Sequence, residues 1–168
     1  PMVPALDTLV LNNNQIGDAG AAALAAILPK TLALQELRLD GNKIGDIGAK
    51  ALADILPEAT ILKKLILSEN QISATGMQAF ANILPTAFSL STLDLRENQI
   101  GDVGAQILAN ALLKPSALTE INLSGNLIGD AGTIALAKVF FKTRALSVLG
   151  LGKNQIGDAG AKALADAL

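Results

Sequence analysis

Leu34-Gln35-Glu36-Leu37-Arg38-Leu39-Asp40-Gly41-Asn42-Lys43-Ile44-Gly45-Asp46-Ile47-Gly48 is the stretch whose reading decides the fold. Leu37 and Leu39 alternate with polar Glu36, Arg38 and Asp40, the period of a short strand with one buried face. Asn42 and Ile44 follow at a bend. Gly45-Asp46 then precedes an Ala/Leu-rich run, which marks a helix start. The same order recurs along the chain. Asn followed two residues later by Ile occurs at Asn14/Ile16, Asn42/Ile44, Asn70/Ile72, Asn98/Ile100, Asn126/Ile128 and Asn154/Ile156, in steps of 28 residues without insertion. Six such units tile all 168 residues as a single domain, 1–168, with no evident capping units. Strict self-similarity of this period is the signature of a stacked-repeat architecture.

One strand and one helix cannot bury their apolar faces alone, so the units must stack. Stacking predicts an α/β solenoid: a parallel sheet on one side, helices on the other. Helices are wider than strands, so the stack curves into an arc with the sheet concave. Within each unit the Gly-Asp step is expected to place Asp18, Asp46, Asp102, Asp130 and Asp158 as N-caps of their own helices. The third unit reads Ile72-Ser73-Ala74-Thr75-Gly76 and lacks the Asp, leaving Ser73 or Thr75 to cap. The 3–4 spacing of Ile47, Ala51, Leu52, Ile55 and Leu56 predicts the buried stripe of the second helix. Pro29, Pro57 and Pro85 are expected to stop the first three helices.

The asparagines need a physical reason, because a buried amide without partners costs about 1–3 kcal/mol. A ladder supplies one: Asn14, Asn42, Asn70, Asn98, Asn126 and Asn154 each bond backbone groups of their own and a neighbouring turn. A catalytic reading would require six equivalent sites and no general base.

Composition narrows the chemistry. Hydrophobic residues make up 51% and aromatics 2%, so Leu, Ile and Ala must build the core, with Phe80, Phe88, Phe140 and Phe141 as the large rings. There is no His and no Cys, which leaves no His-based triad, no thiolate and no common zinc site. The stretch from Asp40 to Ala51 opens like a calcium loop, but Ile44 and Ala51 occupy ligand positions. Gly150-Leu151-Gly152 lacks the third glycine of a dinucleotide fingerprint. No cofactor, metal or enzymatic activity is therefore expected. A net charge of -2 argues against a nucleic-acid partner, and no apolar run is long enough to span a membrane. The start, Pro1-Met2-Val3-Pro4, does not read as a signal peptide, and the lack of Cys favours a cytoplasmic location.

Function is expected where the repeat leaves side chains free. Read across units, the central column of the sheet is Val10, Arg38, Ile66, Asp94, Asn122 and Gly150, flanked by columns beginning at Thr8, Asn12 and Asn13. Variable charge concentrates in units two to four, as Glu36, Arg38, Asp40, Lys64, Glu69, Asp94, Arg96 and Glu97 around Ile66. This mixed-charge patch is the candidate partner-binding surface. The competing reading is that these are solvated charges paired among themselves, Glu36 with Lys64 for instance.

The unit L-x-x-L-x-L-x-x-N-x-I-G-D-x-G-A-x-x-L-A-x-x-L resembles the ribonuclease-inhibitor-like class of leucine-rich repeats, and is similar to the repeat regions of NOD-like receptors and of the Ran GTPase-activating protein. The resemblance covers the whole chain. It implies a right-handed, horseshoe-shaped intracellular module that binds proteins. Two other readings stand beside that one: an activator of a small GTPase, and a structural or engineered scaffold without a native partner. The apolar end units also predict end-to-end self-association, or membership of a longer protein.

Overall fold

The computed structural model describes residues 6–140, 142–143 and 145–168. Phe141 and the Pro1–Pro4 start lie outside them. Among the described residues, six strands alternate with six helices: β1 (Thr8–Val10), α1 (Asp18–Ala25), β2 (Glu36–Arg38), α2 (Asp46–Ile55), β3 (Lys64–Ile66), α3 (Ala74–Ile83), β4 (Thr92–Asp94), α4 (Gly101–Leu112), β5 (Glu120–Asn122), α5 (Asp130–Phe140), β6 (Val148–Gly150) and α6 (Asp158–Ala167). The strands form one parallel sheet in chain order. Its register is the repeat itself: Leu9, Leu37, Leu65, Leu93, Ile121 and Leu149 pair in succession. This is an α/β repeat solenoid. No helix among the described residues is long and apolar enough to cross a membrane.

The core lies between sheet and helices. Leu37, Leu65, Leu93 and Ile121 are fully buried, as are Leu39, Leu67, Leu95 and Leu123 two residues on. The helices answer with Ala49, Leu52, Ala53 and Leu56 in the second unit and their equivalents in the third and fourth. The expected stripe of α2 needs one correction. Ile47 is 74% exposed; the helix turns Gly48 and Ala49 inward instead, because a core one layer thick is filled by small residues at the helix start. Chain reversal follows proline. Helices α2 and α3 end two residues before Pro57 and Pro85, and Pro29 sits in a 3₁₀ turn, Leu28–Lys30, after α1. Where that column holds Leu113 the helix before it extends to twelve residues.

Candidate functional site

Two hydrogen-bond ladders hold the sheet face in place. The first is made by the asparagines. Asn70 Nδ2 donates to Leu39 O at 3.0 Å in the preceding unit and to Leu67 O and Ser68 O in its own, while its Oδ1 accepts from Ile44 N–H at 2.9 Å. Asn42, Asn98, Asn126 and Asn154 make the corresponding bonds to the unit before them. Asn14, in the first unit, donates only to its own Leu11 O and Asn12 O.

The second ladder runs the other way and corrects the expected capping. The aspartates do not cap their own helices: Gly17 and Gly45 are the N-cap residues of α1 and α2, without side-chain caps. Asp18 Oδ1 instead accepts from Gly45 N–H at 2.8 Å and Gly48 N–H at 2.9 Å in the following unit. Asp46 does the same for Ser73 and Gly76, Asp102 for Gly129 and Gly132, and Asp130 for Gly157 and Gly160. Lying in the first turn of its helix, the Asp side chain leans across the boundary toward the next N-terminus, where free N–H groups and the helix dipole favour an anion. Glycine clears this approach and a second one: a Cβ on Gly48 would lie 2.7 Å from Asp18 Oδ1 and 2.9 Å from Ile44 Cγ2 of its own unit, and Gly20 and Gly104, which no Asp approaches, face the same isoleucine contact. Helix α3 is capped by Ser73, whose side chain accepts from Thr75 N–H at 3.1 Å.

On this frame the variable columns face out from the sheet. Arg38 lies 3.6 Å from Asp40 and Lys64 4.0 Å from Glu36. Arg96 is clamped by Asp94: its Nε donates at 3.0 and 2.9 Å and its Nη2 at 2.6 Å. Those hydrogen bonds raise the Arg96 guanidinium above its ordinary pKa. Asp94 is 7% exposed and also accepts from Arg96 N–H at 3.1 Å, so the pair is fixed at both ends. Ile66 is half-buried at the centre, and Glu69 is exposed.

Glu97 was expected within the patch, but its partner was not. Lys153 reaches it at 3.2 Å from two units away. The ion pair passes over Gly125, where a Cβ would lie 2.6 Å from Glu97 Cδ. A large residue, a glycine and a long cation in one column (Glu97, Gly125, Lys153) were the available signal. That column is also unusual in its backbone. Asn13, Glu69, Glu97 and Lys153 have φ between 49° and 55°, and Gly41 and Gly125 share the left-handed region. Two depressions result. One of about 240 Å³ is lined by residues of β2 to β5, including Lys64, Ile66, Thr92, Arg96 and Glu120. The other, about 420 Å³, includes Glu69, Arg96, Glu97, Ser124 and Lys153. Glu120, Asn122, Ser124 and Lys153 thus join the surface that the sequence reading confined to units two to four.

Comparison with known proteins follows the repeat. The family model described as Leucine Rich repeat matches residues 6–25, 34–53, 59–81, 86–109, 115–137 and 145–165, one segment per unit. No curated protein matches the chain. The solved structure of leiomodin-1 actin-binding site 2 is similar with a TM-score of 0.60 at 20% identity, over 71% of this chain and 69% of that one. The tropomodulin C-terminal domain of Caenorhabditis elegans is similar with a TM-score of 0.66 at 12% identity, over 88% of this chain and 90% of that one. At these identities the likeness is one of fold.

Proposed function

The chain belongs to the leucine-rich repeat family, and from that premise we propose that it is a non-catalytic module that binds a protein partner through the concave face of its sheet. Its fullness of helix per 28-residue unit supports placing it with the ribonuclease-inhibitor-like class. One observation carries the binding reading. Recurring residues are consumed by the stack, as core, ladder or interlayer contact, whereas charged residues that change from unit to unit lie side by side across neighbouring strands of the sheet. With Ile66 at their centre, they are Glu36, Arg38, Asp40, Lys64, Glu69, Asp94, Arg96 and Glu97, extended by Lys153. Ion pairs among them do not argue against binding. Charged pairs held in place, such as Asp94–Arg96, present oriented donors without further loss of side-chain freedom.

The lack of cysteine makes the test direct. Single-cysteine variants at Thr92 and Ser124 on the sheet, and at Lys50 on α2, can each carry a photocrosslinker. Purified actin is the first partner to try, because a similar fold is described as an actin-binding site in leiomodin-1. Crosslinks from Thr92 and Ser124 but not from Lys50 are the expected result. Crosslinks confined to Lys50 would move the binding surface to the helices.

A further inference from the structure

We propose that the partner presents a basic segment to the sheet face of units three to five, seating one Arg or Lys side chain against Glu69 and a second against Glu120. This rests on the concave-face reading above and specifies the partner's chemistry.

Most charges of the variable columns already lie beside an opposite charge on the same face. All four cations of the variable columns lie within 4.0 Å of a carboxylate of the same face: Arg96 of Asp94 and Lys153 of Glu97 with hydrogen bonds, Arg38 of Asp40 and Lys64 of Glu36 at 3.6 and 4.0 Å without one. Two carboxylates of those columns, Glu69 and Glu120, have no ion pair among the described residues. The chain carries a net charge of -2, and away from these columns its acidic and basic residues are equal in number. The whole excess of negative charge therefore sits on the sheet face, on these two groups.

Geometry separates them. Glu120 lines the depression of about 240 Å³ and Glu69 that of about 420 Å³. Arg96 lines both; its three bonds to Asp94 orient its guanidinium there, so that it is near enough to Glu69 for the charges to attract but forms no ion pair with Glu69 or Glu120. A neutral or acidic partner covering this face would strip water from two carboxylates and return no counter-charge, which is unfavourable. A partner with two cations pairs both, and is steered toward the face before contact.

The probe is a fluorescein-labelled decapeptide of alternating Arg and Ser, compared with its Glu/Ser counterpart. Each is titrated into the full chain by anisotropy at about 20 and about 200 mM salt, and followed by amide shifts. The Arg/Ser peptide is expected to bind, to weaken at the higher salt, and to move the amides of Glu69, Arg96, Glu120 and Ser124. Glu69→Gln and Glu120→Gln should each weaken it about two- to fivefold at low salt, with melting curves unchanged; Glu58→Gln, in the turn after α2, should leave binding as it was. Absence of binding at about 1 mM peptide, equal binding of the Glu/Ser peptide, or full binding by both Gln variants overturns the proposal. Shifts that stay on the sheet face but ignore charge overturn only the basic chemistry. Shifts confined to the helices overturn the concave-face reading as well.

Discussion

Ala74 and Gly101 occupy the one boundary where a carboxylate does not meet the N–H of the next unit. At the other boundaries Asp18, Asp46, Asp102 and Asp130 receive the backbone of Gly45, Ser73, Gly129 and Gly157. Gly101, with no carboxylate from Ala74 to receive its N–H, sits at φ 62° and donates forward to Asn126 O at 2.7 Å. The disturbance travels one unit further. Lys43, Gln71, Gln99 and Gln155 each donate to the isoleucine carbonyl of the preceding unit; the corresponding bond from residue 127 to Ile100 O has no counterpart among the described residues, and Leu127 sits at φ 60°.

Ala74→Asp should mend this boundary. A charge-assisted pair of bonds at a helix N-terminus, together with release of a left-handed leucine, should stabilise by about 1 kcal/mol. For a chain of this size that is a rise in melting temperature of about 2–4 °C. Backbone shifts of Gly101 and Leu127 should move to values typical of negative φ. A variant that melts like the parent, with Gly101 still left-handed, would show that something other than the missing carboxylate sets the turn.

The asparagine ladder predicts a contrast between two chemically identical substitutions. Asn70→Ala removes bonds to three carbonyls and strands the Ile44 N–H inside the stack. It should destabilise by about 1–3 kcal/mol. Asn14→Ala touches only two exposed carbonyls of its own unit and should change stability by under about 0.5 kcal/mol. Urea unfolding of both variants beside the parent measures the difference. Equal effects would mean that the amide acts within its turn and not between units.

Strand, bend and helix were legible in the sequence because each is dictated by a local pattern: Leu37 and Leu39 alternate, Pro57 ends a helix, Ser73 caps one. The destination of the Asp side chains was not legible. Asp46 has the look of an N-cap, and only the lateral approach of the next unit, with Gly76 clearing the way, shows that it serves a neighbour. The sheet face divides in the same manner. Its columns could be read from the period, and Glu36 beside Lys64 follows from strand adjacency. Glu97 with Lys153 spans two units, and depends on the lean of side chains from left-handed backbone, which periodicity does not encode.

Gly48→Ala tests that lateral approach. The added Cβ would lie 2.7 Å from Asp18 Oδ1, 2.9 Å from Ile44 Cγ2 and 3.0 Å from Asp18 Cα, so relief by rotation of the Asp18 side chain is incomplete. Destabilisation of about 1–3 kcal/mol is expected, even though alanine favours a helix interior. In a double variant with Asp18→Ala the two effects should fall short of their sum, since both disrupt the same contact. Strict additivity in thermal or urea unfolding would mean that the contact with Ile44, and not the approach of Asp18, requires a glycine at 48.

Glu69 offers a case in which stability and recognition should move in opposite directions. Its φ of 54° is one that Gly41 and Gly125 adopt in the same column, at no steric cost for a glycine. A residue with a Cβ there costs roughly 1–2 kcal/mol, offset in part by the smaller entropy that glutamate loses on folding. Glu69 has no ion pair to forfeit among the described residues. Glu69→Gly should therefore stabilise the chain by up to about 1 kcal/mol while weakening the Arg/Ser peptide as much as Glu69→Gln does. Glu69→Gln keeps the Cβ and should leave stability near the parent value. The comparison separates the two contributions of one side chain: backbone strain responds only to glycine, and binding responds to either substitution. If glycine destabilises, local contacts of Glu69 outweigh the strain, and the left-handed column is held by packing and not tolerated for the sake of the charge it displays.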